Sequence, residues 1–390
     1  VTGSLLPWLD ARDAAHRQGL QLLGVPETIA LDGAVGRTLA APLDAPGDVP
    51  GHDGAAMDGW AVAGDGPWRV GAPIVAGAAP SVEPLVPGTA RPITTGAPVP
   101  SGTSVVVRSE DAGLDAAGLL VRHTASHRRH VRPAAEEVAR GELLFGSGQV
   151  LTPPRIALAA ASGVDEVRVA PAPTVRVAVL GDEVVGRGVP LPGRVRDVFS
   201  PTLPAVLRSM GAAPTVAVHV PDGADETAAA LGDAPERLVV STGGTAGSST
   251  DHVRGALARI GAELVVDRVD IRPGRPVLLA RRGRTLHLCL PGNPMAAMVG
   301  MVLFGGPLVA GLLGRPVDQP SVVRLGVDVP NERSGALVLA YRSTGAGAVP
   351  TTHQSSAMLR GLAEAEGLLV VPAGGRRAGE TAAAVPLPWG

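Results

Sequence analysis

The sequence predicts a multidomain chain of α/β and β structure, with a parallel-rich α/β domain at its centre, helical and small β regions before it, and a small β domain after it. Three observations carry this prediction. At 390 residues the chain exceeds what one ordinary core can organise, so roughly two to four domains are expected. Residues 173–316 repeat a rhythm of apolar run, glycine loop and helix-like segment, the pattern of a mainly parallel sheet with helices on both faces. On either side the pattern changes to short apolar runs cut by Gly and Pro, as in small β structure.

Residues 5–23 have helical spacing, and a second short helix is predicted near residues 30–40. From 45 to 131 short β segments are expected, among them 68–75 and 104–108. Residues 151–162 read as a helix started by Thr152 and the pair Pro153 and Pro154. Beyond residue 173, strands are predicted at 175–180, 216–220, 238–241, 264–269 and 286–290, and helices at 203–210, 225–231 and 252–260. The tail, 317–390, alternates β-rich runs (322–329, 336–341, 368–371) with turns and reads as a separate β domain. There is no tandem repeat, and the Ala, Gly and Pro richness is chain-wide.

The bulk chemistry excludes several classes of function. A formal charge of −2 and an aromatic fraction of 2% indicate neither a basic nucleic-acid face nor stacking platforms for bases. Every fixed side-chain cation is an arginine, which suits bidentate recognition of anions. The single cysteine, Cys289, lies in an apolar run and reads as a small buried hydrophobe in a reducing compartment. Residues 1–20 contain no apolar segment of signal-peptide length, so a cytoplasmic protein is expected. Residues 295–314 are uncharged over about the length that spans a bilayer. They lack basic anchors and an aromatic belt and are interrupted by Gly305, Gly306 and Pro307, so a buried helix is predicted and no membrane contact.

The most informative local feature is Leu290-Pro291-Gly292-Asn293-Pro294, where an apolar run stops at a turn that opens into a helix. Proline pre-sets φ, glycine permits close backbone approach, and the unpaired N–H groups of a helix start favour an oxyanion. If the sheet is parallel, this turn and the loops Gly181-Asp182-Glu183 and Gly243 to Asp251 lie together at the carboxyl ends of its strands. They bring the carboxylates Asp182, Glu183 and Asp251, with Asp197 able to join them. Acidic groups beside an anion site make sense with a hard cation between, and oxygen ligands suit Mg²⁺. Taken singly, each carboxylate could as well cap a helix or be solvated. Arg272-Pro273-Gly274-Arg275-Pro276 offers two guanidiniums on a stiff loop, suited to phosphate or molybdate-like oxyanions, although exposed arginines are also commonly just solvated. His123, His127 and His130 read as a solvated basic turn, because Arg128 and Arg129 would repel a metal.

At these loops the chain resembles the molybdopterin molybdenumtransferase family (MoeA; the E domain of gephyrin), which inserts molybdate into adenylylated molybdopterin. The matching residues span nearly the whole chain: Ala56-Met57-Asp58-Gly59 with Trp60-Ala61-Val62; Thr95-Gly96-Ala97-Pro98-Val99-Pro100; Gly181-Asp182-Glu183; Gly243-Gly244 with Asp251; the Arg272 and Pro291 motifs; and His353-Gln354-Ser355-Ser356. The resemblance implies a homodimer of four-domain subunits. Residues 1–46 with 132–172 would form a helical and linker domain and 47–131 a small β domain; 173–316 would form a three-layer molybdopterin-binding α/β domain and 317–390 a β-barrel-like domain. It implies a cleft built from two subunits, which would explain why Asp58 and Thr95 lie so far from Glu183 in sequence.

The implied roles follow residue by residue. Asp58, Thr95, Glu183 and Asp251 would be catalytic. Asp182, Gly243, Gly244, Arg272, Arg275, Pro291, Gly292, Asn293, Pro294, Ser355 and Ser356 would bind the anionic substrates. Glu183, Asp197 and Asp251 would hold Mg²⁺. Partners would be the small-molecule substrates, a second subunit and the molybdopterin-adenylylating protein. Departures from the family pattern are also present. A Ser-Thr pair usually precedes Gly-Asp-Glu, whereas here Leu180 runs directly into Gly181. Val198 and Phe199 stand where the family has an Asn after the aspartate; His52, Gly54 and Ala55 replace Phe, Asn and Ser; Glu137 replaces Asp; and both loop lysines are arginine. Two other functions therefore compete with molybdate insertion. One is a weakened relative that only binds molybdopterin or a partner protein, and the other is an adenylyl-transferring enzyme, which would leave the Asp58 and Thr95 motifs unexplained.

Overall fold

The computed structural model describes residues 5–79, 81–124, 127–232, 234–247 and 251–389. The chain forms two compact units, one of residues 28–35 and 41–168, the other of residues 1–27, 36–40 and 169–390.

The smaller unit is built on a six-stranded sheet in the order Val105–Arg108, Gly59–Ala63, Thr89–Ile93, Trp68–Val70, Leu119–Arg122, Ala112–Leu114. Both faces are covered, which is why the neighbouring strands Gly59–Ala63 and Val105–Arg108 are apolar with little alternation. Ala61, Ala63, Ile93 and Val106 pack on one side, and Val62, Trp68, Ala90, Val107 and Leu120 on the other. The helix Pro153–Ala161 forms as predicted, with its two prolines in the first turn. Thr152 contributes its backbone carbonyl to Ile156 N–H, and its side chain makes no cap. The predicted helix at 30–40 is not formed. Strand Glu27–Ala30 runs into a single 3-10 turn, Leu31–Gly33, and Gly36 adopts a positive φ of 79° that ends any helical continuation.

The larger unit contains a seven-stranded sheet in the order Ala213–Pro214, Thr174–Leu180, Leu238–Thr242, Thr285–Leu290, Leu278–Arg282, Glu263–Asp267, with Val218–Val220 also pairing to Thr174–Leu180. Thr174–Leu180, Leu238–Thr242 and Thr285–Leu290 are parallel neighbours, as expected. Leu278–Arg282 was not foreseen as a strand. It forms an antiparallel hairpin with Thr285–Leu290, and its last residues, Arg281 and Arg282, hide the apolar signal. Alternation along the central strands divides the layers. Val175, Val177, Leu238 and Val240 face Phe199–Ser209 and the helical run Pro294–Leu312; Ala178, Leu180, Val239 and Cys289 face Ala224–Gly232 and Val253–Arg259. The run Pro294–Leu312 is a core helix, 89% buried.

A second, six-stranded sheet runs Ile271–Arg272, Ala336–Thr344, Gly367–Val371, Thr381–Pro386, Ser321–Arg324, with Gly347–Pro350 also on Ala336–Thr344. The tail does not keep its core to itself. Val338, Ala340, Leu368 and Val370 join the large α/β core, while Leu325, Leu369 and Val371 form a cluster on the other face.

Two sites in this core give measurable consequences. The helix Trp8–Leu20 crosses Gly306–Leu312 so closely that a Cβ on Gly311 would lie 2.2 Å from the carbonyl oxygen of His16. Gly311→Ala should therefore force the helices apart and lower the urea unfolding free energy by about 1–3 kcal/mol; an unchanged midpoint would contradict this packing. His287 is fully buried on the central strand with neither ring nitrogen hydrogen-bonded, and burial followed by the Arg282 charge pushes its pKa down from 6.5 to about 4. The unfolded chain takes up this proton as pH falls below 6.5 while the native state resists until about pH 4, so stability is lost across that interval. His287→Leu should flatten the wild-type decline between those pH values by up to about 3 kcal/mol, read from denaturant titrations at each pH.

Candidate active site

The three polar loops meet because three parallel strands end at one level. Val179 pairs with Thr242, and Thr242 with Leu290. Beyond this level come Leu180 and then Gly181 on the first strand, Gly243 on the second and Pro291 on the third, so the loops leave adjacent strand ends about 4.8 Å apart. Glycine is required at this point. Gly243 has φ 94°, an added Cβ would come 2.9 Å from the Leu180 carbonyl oxygen, and its N–H donates to Leu290 O at 3.0 Å. Gly292 lies beside it, where a Cβ would meet Gly243 Cα at an ordinary contact distance of 3.5 Å. The next glycine, Gly244, also has a positive φ, 63°.

Within the first loop the carboxylates have different tasks. Glu183 is exposed, and its side chain folds back over Gly181, where a Cβ would meet Oε2 at 2.5 Å. Asp182 and Asp222 exchange backbone-to-carboxylate hydrogen bonds at 3.2 Å each, which ties the loop to the neighbouring strand end. The Arg194 guanidinium donates to the Asp182 carbonyl. Asp182 is thus a brace for the loop.

Asp197 does not join Glu183. Val184–Val185 pairs with Val195–Arg196 in a parallel ribbon, with Glu183 before its first rung and Asp197 after its last, a separation of about 10 Å along the strand. Asp197 Oδ1 accepts the N–H groups of Phe199 and Ser200 at 2.8 and 3.0 Å, capping the helix that follows. Asp197 is thus occupied at its own helix, and among the described residues no three His, Cys, Asp or Glu side chains are gathered for a metal ion. Mg²⁺ commonly arrives with substrate phosphates and needs only one or two protein carboxylates. Asp251 leads into the helix Val253–Arg259, whose start lies against Gly244.

The arginine and proline motifs do come together, around a cavity of about 430 Å³. Arg272, Arg275, Pro291, Asn293, Ser355 and Ser356 line it, as does Arg333. Two polar hubs hold its walls. Gln354 copies a strand, accepting Ala340 N–H at 2.8 Å and donating to the carbonyls of Ala340 and Thr351 at 2.7 and 2.8 Å, which fixes the loop of Ser355 and Ser356. Buried Asn331 reaches the carbonyls of Gly335, Val371 and Pro372 and accepts the Arg333 N–H at 3.2 Å. Arg333 and Asn331 were missed in the sequence, where an isolated Asn-Glu-Arg turn carries no signal. The helix start at Pro294 is partly satisfied from within: Asn293 Nδ2 donates to Ser356 Oγ at 3.2 Å, and Ala296 N–H donates to the Ser356 carbonyl at 3.2 Å. Thr245, also unmarked in the sequence, is buried on the glycine loop with its hydroxyl unpaired.

In the smaller unit, Asp58 and Thr95 are neighbours because Gly59 pairs with Ile93 across the sheet. Asp58 Oδ1 accepts the Thr95 N–H at 2.6 Å and the Thr95 hydroxyl at 2.9 Å. These bonds, the backbone one first, hold the exposed Asp58 carboxyl below its ordinary pKa. The Thr95 hydroxyl is already donating, so its free capacity is as an acceptor. Cys289 is buried and its thiol is pushed up to about 11, which suits the inert core role read from the sequence. His123, His127 and His130 form no metal cluster among the described residues.

Comparison with known proteins gives the family of the chain. The family model for the MoeA N-terminal region (domain I and II) matches residues 7–163, that for a "Probable molybdopterin binding domain" residues 176–311, and that for the MoeA C-terminal region (domain IV) residues 323–387. The chain is 33% identical to molybdopterin molybdenumtransferase of Synechococcus elongatus, over 87% of this chain and 88% of that one. It is 32% identical to molybdopterin molybdenumtransferase 2 of Mycobacterium tuberculosis, over 89% and 91%. The crystal structure of the molybdopterin biosynthesis MoeA protein from Pyrococcus horikosii has the same fold, with a TM-score of 0.80 at 24% identity, covering 98% of this chain and 99% of that one. The chain is therefore a member of the MoeA family, the molybdopterin molybdenumtransferases of molybdenum cofactor biosynthesis.

Proposed function

We propose that this protein inserts molybdate into adenylylated molybdopterin with release of AMP, in a Mg²⁺-dependent reaction, as a cytoplasmic homodimer. The observation that carries this reading is the cavity lined by Arg272, Arg275 and Arg333 together with Asn293, Ser355 and Ser356, beside two glycine loops at the strand ends. Three guanidiniums with hydroxyl and amide groups suit a tetrahedral dianion. The N–H groups and hydroxyls around Gly243, Gly244 and Thr245 suit phosphate or pterin oxygens. Water attacks the phosphoanhydride and the bridging P–O bond breaks, giving AMP and the pterin phosphate; the two dithiolene thiols form Mo–S bonds as one molybdate oxygen leaves with their two protons as water. Glu183 and Asp251 would hold Mg²⁺, whose chemistry is polarisation of the anhydride and charge neutralisation. Asp58, below the ordinary carboxylate range, acts as an anion and hydrogen-bond acceptor throughout the neutral range.

A second reading, a weakened relative that binds molybdopterin or a partner without turnover, draws on the missing hydroxyl pair before Gly181. Release of AMP from adenylylated molybdopterin in the presence of Mg²⁺ and molybdate separates the two readings. Wild type should release it, whereas Glu183→Gln and Asp58→Asn should each slow the step on the order of 100-fold. If the subunits share the reaction, mixing the two variants should restore part of the rate; a Glu183→Gln protein as fast as wild type would remove Glu183 from the mechanism. Thr95→Val keeps the backbone bond to Asp58 but loses the hydroxyl bond, so the Asp58 pKa should rise toward its ordinary value. Activity that needs the carboxylate should then fail at a higher pH on the acid side than in wild type, as a pH–rate profile would reveal.

A further inference from the structure

Among the described residues, only one of the three arginines around the cavity has a carboxylate within ion-pair distance. Asp270 Oδ1 lies 4.0 Å from Arg275 Nη2, while Arg272 and Arg333 have no such partner among those residues. The contact is too long for a hydrogen bond. Asp270 Oδ1 and Arg275 Nε are both buried without a hydrogen-bond partner, so neither group is satisfied by the other. Asp270 is also held in place. Its N–H donates to Leu6 O at 2.8 Å, its carbonyl accepts Ala336 N–H at 3.1 Å, and Val269 N–H donates to Arg275 O at 3.0 Å. Gly335, two residues after Arg333, presses on it so closely that a Cβ there would lie 2.2 Å from Oδ1. The Asp270 backbone is therefore fixed, and its carboxylate, 30% exposed, stands 4.0 Å from a guanidinium that lines the cavity.

We propose that Asp270 is a specificity-determining residue of the oxyanion cavity, a built-in counter-charge that weakens the pull of Arg275 on an incoming anion. The inference rests on the oxyanion reading of the cavity given above. Three guanidiniums and one carboxylate leave two uncompensated positive charges, a match to a tetrahedral dianion. Repulsion between Asp270 and the guest grows in proportion to the charge of the guest, so removing it favours dianions more than monoanions. Its purpose is release: a cavity that must pass molybdate onward gains nothing from holding it too firmly.

The test is isothermal titration calorimetry of the full-length protein with three tetrahedral ions: molybdate, sulfate and perchlorate. Asp270→Asn keeps the shape and removes the charge. It should tighten molybdate and sulfate on the order of tenfold and perchlorate by about threefold, the gap narrowing as salt is raised. Asp270→Ser should show the same dependence on ion charge if the effect is electrostatic. Unchanged affinities in Asp270→Asn would overturn the proposal, and so would a uniform weakening, which would mean that Asp270 merely orients Arg275. Arg275→Gln separates the layers of the argument. If wild type binds no molybdate, or Arg275→Gln binds it as well as wild type, the oxyanion reading itself fails; if wild type binds and Arg275→Gln does not, the Asp270 result stands on its own.

Discussion

The candidate site depends on the register of three parallel strands. Because Val179, Thr242 and Leu290 sit side by side, the loops that follow them start from a common edge. A slip of one residue would turn Val177 and Val240 from one layer to the other and bury polar positions in their place. The two-sided apolar core therefore enforces the alignment that the loops need. Glycine makes the alignment usable, since Gly243 lets its backbone approach the Leu180 carbonyl where a Cβ would clash.

On this edge the charges are distributed unevenly. Cations gather where the Arg272 loop is stitched to the C-terminal sheet, through Ile271–Arg272 pairing with Ala336–Thr344. Carboxylates gather on the Gly181 side, and several are occupied with structure. Asp182, itself exposed, braces a strand end and Asp197 caps a helix, and Glu183 is the other exposed acid of the loop. Neutral amides do the placing: Gln354 and Asn331 fix the loops that carry Ser355, Ser356 and Arg333 by satisfying backbone groups. Such hubs cost little charge desolvation and hold geometry well, since each buried amide is paired.

The family resemblance and the local reading reached different depths. Pro291, Asn293, Arg272 and Arg275 were legible because prolines and glycines announce their own backbone demands, and they do line one cavity. The placing of Glu183, Asp197 and Asp251 relative to one another was not legible. Proximity in sequence to a glycine loop does not tell whether a carboxylate faces a ligand or turns back to its own helix, and Asp197 turns back. The strand Leu278–Arg282 and the 3-10 turn at Leu31–Gly33 went unread for a related reason. Terminal arginines and a helix-like spacing are local signals, and pairing partners decided otherwise.

By itself the sequence determined the layered α/β class, the apolar strands that end in glycine, the buried character of Pro294–Leu312 and of Cys289, and the family motifs, because each follows from local sterics or from transfer out of water. Tertiary structure alone decided which polar groups face one another: Asp58 with Thr95, Asp182 with Asp222, Asp197 with a helix start, Arg333 and Asp270 with the arginine loop. The physical reason is range. Burial preference and turn geometry act over a few residues, whereas a hydrogen bond or ion pair acts over a few ångströms between groups that only the folded chain brings that close.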